Sequence, residues 1–136
     1  MQISLRDVDN ILVVSDFNAD VLVGLCINDS RDPKINATCI GFGQVIPTLL
    51  DLDADLWREK KAALIWTLPQ SVSDTFVRAK FMEPVNHEVA IQDVDVFCDA
   101  IIATCSHVAT ILVATWVMSD EERGYGMLDL QKGLGV

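Results

Sequence analysis

Four short polar segments, each following an apolar run, carry the side chains best suited to chemistry. Together they hold a hydroxyl, a carboxylate, several amides and glycine N–H groups. If the apolar runs are strands of one parallel sheet, the segments lie at its carboxyl edge, where such sheets bind ligands. They are Ser15–Asn18, Gly41–Gln44, Thr67–Gln70 and Trp116–Ser119. The ligand-binding residues predicted within them are Asp16, Asn18, Gly41, Gly43, Gln44, Thr67 and Gln70.

Ser15 is the candidate nucleophile, and hence the candidate catalytic residue. A serine needs a base to accept its proton, and usually a third group that orients the base. The chain has two histidines: His87 falls in an irregular stretch, and His107 falls near the end of a helical pattern. His87 could reach over the crevice, but nothing in the spacing of either histidine requires an imidazole beside Ser15. The structural alternative is a serine that ends a strand and begins a turn.

Three other kinds of site are weaker. Asp16 stands where phosphoryl-transfer aspartates stand, but no lysine follows a later strand, and a helix cap is the simpler interpretation. Gly41-Phe42-Gly43 is half of a phosphate-binding loop without its third glycine, so a turn is favoured. The two histidines and four cysteines lack zinc-ligand spacing. We therefore expect no metal and no cofactor.

The elements that would position these residues alternate between strand and helix. Continuous apolar runs indicate strands buried on both faces, and repeats at i, i+3 and i+4 indicate helices. The predicted strands are 11–14, 37–40, 62–66 and 110–117, and the predicted helices lie within 21–26, 45–50 and 94–108. Residues 71–91 have no clear pattern, although Val72, Phe76 and Val77 suggest a short helix.

This alternation predicts an α/β fold: a three-layer α/β/α sandwich on a parallel, flavodoxin/SGNH-like, doubly wound sheet of about four to five strands. Residues 1–136 are expected to form one domain. Doubly wound sheets usually have five or six strands, and four are visible, so we expect that the domain is cut short at its C-terminal end.

Composition narrows the class of protein. Hydrophobic residues make up 51% of the chain and charged residues 22%, which indicates a folded domain. A net charge of −10 argues against binding to nucleic acid or to an anionic membrane surface. No secretory or membrane-spanning apolar stretch is seen, so the expected location is the cytoplasm. Cys26, Cys39, Cys98 and Cys105 lie in apolar stretches and are predicted to be reduced core residues.

The order of segments resembles the N-terminal domain of FkbH-like proteins, in which this domain precedes a haloacid-dehalogenase-type domain. The residues that carry the resemblance are Asn10–Leu22 (NILVVSDFNADVL), Gly41–Leu50 (GFGQVIPTLL), Ala62–Ser71 (AALIWTLPQS) and 95–118, with 123–136 like the lead into a final strand. It implies an SGNH-hydrolase-like fold. FkbH-like proteins load glyceryl units onto acyl carrier proteins, with the chemistry in the haloacid-dehalogenase-type domain.

Measured against the SGNH hydrolases, this chain departs from the catalytic pattern. Their Gly-Asp-Ser block, set on Ser15-Asp16-Phe17, puts Phe17 in the nucleophile position. Their second-block glycine corresponds to Gly41 or Gly43. Thr67–Gln70 has no asparagine for the third block, and no Asp-x-x-His block follows.

The leading hypothesis is accordingly a non-catalytic or accessory domain of an FkbH-like protein. It would bind a carrier-linked substrate or a partner, either an acyl carrier protein or a C-terminal catalytic domain. One alternative is an SGNH-like esterase or acyltransferase that uses Ser15, with N–H groups near Gly41–Gly43 as oxyanion donors. Another is a small-ligand-binding flavodoxin-like module.

Overall fold

The computed structural model describes residues 9–53 and 55–116 of the chain. Within them lie four strands, four α-helices and two 3₁₀ turns. The strands are β1 (Asp9–Ser15), β2 (Ile35–Cys39), β3 (Ala62–Trp66) and β4 (Thr110–Val113). The helices are α1 (Asp20–Asn28), α2 (Val45–Leu50), α3 (Asp74–Lys80) and α4 (His87–Thr104), and the 3₁₀ turns are Asp55–Trp57 and Pro69–Ser71.

The four strands form one parallel sheet in the order β2-β1-β3-β4. The chain moves outward from β1 to β2, then returns to the other side of β1 for β3, which is the flavodoxin-like doubly wound order. Right-handed crossovers place α1 on one face of the sheet, and α2 with the last turn of α4 on the other. The predicted three-layer α/β/α fold is confirmed.

β1 is the centre of the sheet because its sequence is apolar without alternation. Leu12, Val13 and Val14 are all at most 2% exposed, so both faces of the strand are covered. Such a run suits a parallel strand with helices above and below it. Ala63 and Ile65 of the neighbouring β3 are fully buried as well.

The described residues fall into two compact units. The first unit contains residues from 9–66 and 100–114, and so holds the whole sheet with α1 and α2. The second contains residues 67–99 and 115–116, and so holds α3 and most of α4. No helix within the described ranges is long and apolar enough to cross a membrane.

The irregular stretch predicted for residues 71–91 is more ordered than its pattern indicated. α3 occupies Asp74–Lys80, and α4 begins at His87, seven residues before the predicted Val94. Short polar caps explain the difference. Ser73 Oγ accepts a hydrogen bond from the Thr75 N–H, and Asn86 Oδ1 accepts one from the Glu88 N–H, so each polar side chain starts a helix.

The prediction that the four cysteines lie in the core was wrong. Cys26 and Cys39 are half-buried, and Cys98 and Cys105 are exposed; all four are free thiols. On α4 the buried positions are Phe97, Ala100, Ile101 and Thr104. Cys98 follows Phe97 by one residue, about 100° further around the helix, and therefore faces outward.

The loop between α1 and β2 contains an ion pair that sets the protonation of Asp29. Arg31 donates from Nε to both carboxylate oxygens, at 3.0 and 2.9 Å, and its backbone N–H donates at 3.0 Å. These bonds, the side-chain ones first, lower the pKa of Asp29 from 3.8 to about 2.

Replacing Arg31 by alanine should therefore raise the pKa of Asp29 from about 2 toward 3.8. Because this pKa is lower in the folded state, the pair stabilises the fold at pH values above about 4 and loses its effect as the pH falls toward 2. A carboxyl-carbon NMR titration measures the shift. Arg58→Ala, at the exposed Arg58–Asp55 pair, is the control. If Arg58→Ala changed the pKa of Asp29 as much as Arg31→Ala does, Arg31 would not be the cause of the lowered pKa.

Candidate functional site

The carboxyl edge of the sheet lies where β1 and β3 end side by side. Ser15 and Trp66 are in register as the last residues of these two strands. The strand order reverses beside β1, which makes this pair the topological switch point of the sheet. Phe17, in the loop after β1, packs edge-on against Trp66 with ring centroids 5.0 Å apart. The edge is therefore walled by aromatic rings.

Ser15 is 1% exposed, and its hydroxyl is held by its own loop. Oγ donates to the Phe17 carbonyl at 3.1 Å and accepts from the Phe17 N–H at 3.2 Å. Both bonds are local side-chain-to-backbone bonds of the kind serine forms in turns. The geometry of Ser15 is that of a turn residue, with its proton directed to a carbonyl rather than to a base.

His107 lies toward the opposite edge of the sheet. Thr110 and Ile11 are both in register with Ala62, and Ser15 lies four residues beyond Ile11, about 13 Å further along the strand. His107 precedes Thr110 by three residues, on the amino-terminal side of β4. Its Nδ1 lies 2.8 Å from Ser106 Oγ. His87 is the exposed first residue of α4, in the second unit.

Two of the predicted binding residues follow Ser15 directly. Asp16 is half-buried at the start of the loop. Asn18 is exposed, and its Oδ1 accepts a 2.8 Å hydrogen bond from the Asp20 N–H, at the first residue of α1. The N-cap position of α1 is occupied by Ala19, which makes no side-chain capping bond, so the interpretation of Asp16 as the helix cap was wrong.

Gly41–Gln44 forms a tight turn between β2 and α2. The Gln44 N–H donates to the Gly41 carbonyl at 3.2 Å, and Gly43 has φ of +73°. The Gln44 carbonyl then accepts from the Thr48 N–H at 2.9 Å as α2 begins. At the tip, Phe42 is 87% exposed. The turn therefore presents a phenyl ring at this edge of the sheet.

Replacing Gly43 by alanine should lower the free energy of unfolding by about 1–2 kcal/mol, because a Cβ is strained in the left-handed region. No atom lies within 4 Å of the added Cβ, so the cost is one of backbone conformation. Denaturant unfolding measures it. Gly24→Ala, in open space within α1, is the control and should stabilise by about 0.5–1 kcal/mol. Equal effects of the two changes would contradict the account of the turn.

Thr67 and Gln70 belong to the second unit. Thr67 is 4% exposed, and its Oγ1 accepts a 3.2 Å hydrogen bond from Trp116 Nε1. The Trp116 ring stacks on Phe97 at 6.2 Å and meets Phe76 edge-on at 5.7 Å. Thr67 thus anchors an aromatic cluster. Gln70 lies in the 3₁₀ turn Pro69–Ser71 and lines a pocket.

That pocket was not predicted from the sequence. It has a volume of about 390 Å³ and lies within the second unit, between the start of α3 and the first half of α4. Its lining includes Gln70, Ser73, Asp74, Arg78, Val89 and Asp93. The signal available in the sequence was the helix-start pattern Ser73-Asp74, a capping hydroxyl followed by an acidic first turn.

Within the described ranges, no group of three or more histidine, cysteine, aspartate or glutamate side chains could hold a metal ion. No protein-family model, no curated protein and no solved structure matches the chain.

Proposed function

We propose that the chain is a non-catalytic accessory domain of the FkbH-like kind, which binds a carrier-linked substrate or partner protein through the carboxyl edge of its sheet. The observation that carries this proposal is the state of Ser15. Its hydroxyl is buried and makes both of its hydrogen bonds with Phe17. A serine in this state lacks the base that nucleophilic catalysis requires.

The side chains at the same edge suit binding rather than catalysis. Phe42 is 87% exposed at the tip of its turn, and Trp66 is 40% exposed at the end of β3. Aromatic residues, phenylalanine and tryptophan among them, are enriched in protein interfaces. Both belong to the first unit, as does the loop of Ser15.

The net charge of the chain, −10, provides no long-range attraction to an acidic partner. Binding at this edge then depends on a few buried contacts. Phe42 is the clearest candidate because a partner could cover nearly its whole ring.

The test is an NMR titration of the ¹⁵N-labelled chain with an acyl carrier protein that carries a glyceryl thioester. We expect saturable amide shifts in the loops 15–18 and 41–44, because the carrier-linked group would meet this edge first. Replacing Phe42 by serine should weaken binding about tenfold or more, as the loss of a central aromatic contact does.

Ile27→Ser is the matched control, because Ile27 is 51% exposed near the end of α1 that is farther from the loop 15–18, and it belongs to the same unit. It should leave the affinity for the carrier protein unchanged. An absence of saturable shifts, or equal weakening by the two variants, would contradict binding at this edge.

A further inference from the structure

The pocket in the second unit has the size and chemistry of a small-molecule site, and it is separate from the loops invoked above. Its volume of about 390 Å³ falls in the range of ligand pockets, which is about 300–1,000 Å³. Every lining residue belongs to residues 70–93, so the pocket is built within one compact unit.

The lining is polar. Most of the residues that line this open pocket have hydroxyl, amide, carboxylate or guanidinium side chains, and Val72 and Val89 are its two apolar members. An apolar ligand would gain little binding free energy in a pocket of this composition, because little apolar surface would be buried. It favours a molecule that exchanges several hydrogen bonds with water for several with the protein.

Asp93 is the fixed acceptor of the pocket. Its Oδ2 accepts a 2.6 Å hydrogen bond from the hydroxyl of Ser73, which is 3% exposed. Ser73 is itself held by the Thr75 N–H at 3.2 Å. Short hydrogen bonds to a carboxylate are strong, so this chain of contacts holds the carboxylate in place and leaves Oδ1 as an acceptor for a ligand.

Arg78 is the corresponding donor. Its Nε donates to Glu83 at 3.1 Å and its Nη2 to the Pro84 carbonyl at 3.0 Å. These bonds orient the guanidinium and use two of its five N–H groups, and Arg78 is one of the residues that line the pocket. A held acceptor and a held donor therefore border the same cavity.

The charges select against an anionic ligand. Asp74 and Asp93 both line the pocket, while the charge of Arg78 is balanced by Glu83. A phosphate or carboxylate would meet two carboxylates and one neutralised cation. A hydroxyl both donates and accepts, so a ligand with several hydroxyl groups can use Asp93 as an acceptor and Arg78 as a donor. We propose that this pocket binds a small uncharged polyol or sugar, with Asp93 accepting and Arg78 donating.

The test is a ¹⁵N NMR titration of the full chain with four neutral polyols: glycerol, erythritol, xylitol and myo-inositol. Inorganic phosphate is the anionic comparison. We expect at least one polyol to give saturable shifts centred on the amides of residues 70–75, 78, 89 and 93, and phosphate to give none. Asp93→Asn should weaken that binding about tenfold, since it removes the charge of the acceptor.

The matched control is Asp95→Asn, an exposed aspartate on the same helix that does not line the pocket. It should leave polyol binding unchanged. Retained amide dispersion shows that each variant is folded. The proposal is overturned if none of the four polyols binds saturably, if phosphate binds equally well, or if Asp95→Asn weakens polyol binding as much as Asp93→Asn.

Discussion

Replacing Leu12 by alanine is expected to lower the free energy of unfolding by about 2–5 kcal/mol, the usual cost of removing a buried leucine side chain. Leu12 is fully buried in β1, with Thr38 of β2 and Ala63 of β3 as its register partners. Close neighbours on both sides limit how far the site can collapse around the cavity. A domain stabilised by about 5–15 kcal/mol would lose a large part of its stability.

Leu112→Ala is the matched control for Leu12→Ala, because it makes the same chemical change in a parallel strand. Leu112 of β4 is 57% exposed, so its truncation should change the free energy of unfolding by about 0.5 kcal/mol or less. Urea unfolding followed by circular dichroism compares the two variants. Similar losses from both would show that β1 is not the centre of the core.

Replacing Trp57 by alanine is expected to cost about 3–5 kcal/mol. Trp57 ends the 3₁₀ turn Asp55–Trp57, is 3% exposed, and donates from Nε1 to the Thr48 carbonyl in α2 at 3.1 Å. The single side chain therefore provides both apolar burial and a buried hydrogen bond. Its loss leaves a cavity and a carbonyl without its side-chain donor.

Trp57→Phe separates the two contributions. It keeps most of the ring and removes the Nε1 donor, so we expect a smaller loss of about 1–3 kcal/mol in the free energy of unfolding, the cost of an unsatisfied buried group. Trp66→Ala, at a residue 40% exposed, should also cost less than Trp57→Ala. If Trp57→Phe matched Trp57→Ala, the ring would contribute no burial and this account of the turn would be wrong.

The fold was predictable because its signals are local. Ile11–Val14 is apolar without alternation, and a strand covered on both faces of a parallel sheet suits such a run. The order of the strands did not follow from pattern alone. It follows from handedness and from pairing along the sheet, which brings β3 beside β1 although about 50 residues separate them.

The burial pattern of α4 shows that helical periodicity alone does not determine which side chains face the core. The apolar stripe of this helix is broad. Its angular width suggests that Phe97, Cys98, Ile101 and Ile102 all face the core. In the structure Phe97 and Ile101 are buried, whereas Cys98 and Ile102 are exposed. The choice between adjacent positions depends on where the neighbouring elements lie, and no single helix encodes that.

The candidate site was also predictable only in part. The sequence predicted which segments end the strands, and the structure confirms that Ser15 and Trp66 end β1 and β3 side by side. It could not predict the direction of the Ser15 hydroxyl, which depends on a turn that brings the Phe17 backbone within 3.2 Å. The Ser73–Asp93 contact joins residues 20 positions apart and has no local signature.

Serine-directed fluorophosphonate labelling tests the central claim most directly. The chain should take up no probe at Ser15, under conditions that label an active serine esterase completely, because the hydroxyl is buried and donates to the Phe17 carbonyl. Ser71→Ala, at an exposed serine, is the comparison for Ser15→Ala. We predict no stoichiometric labelling. The claim of a non-catalytic domain would be contradicted by stoichiometric labelling that Ser15→Ala abolishes and Ser71→Ala preserves, provided that both variants are folded.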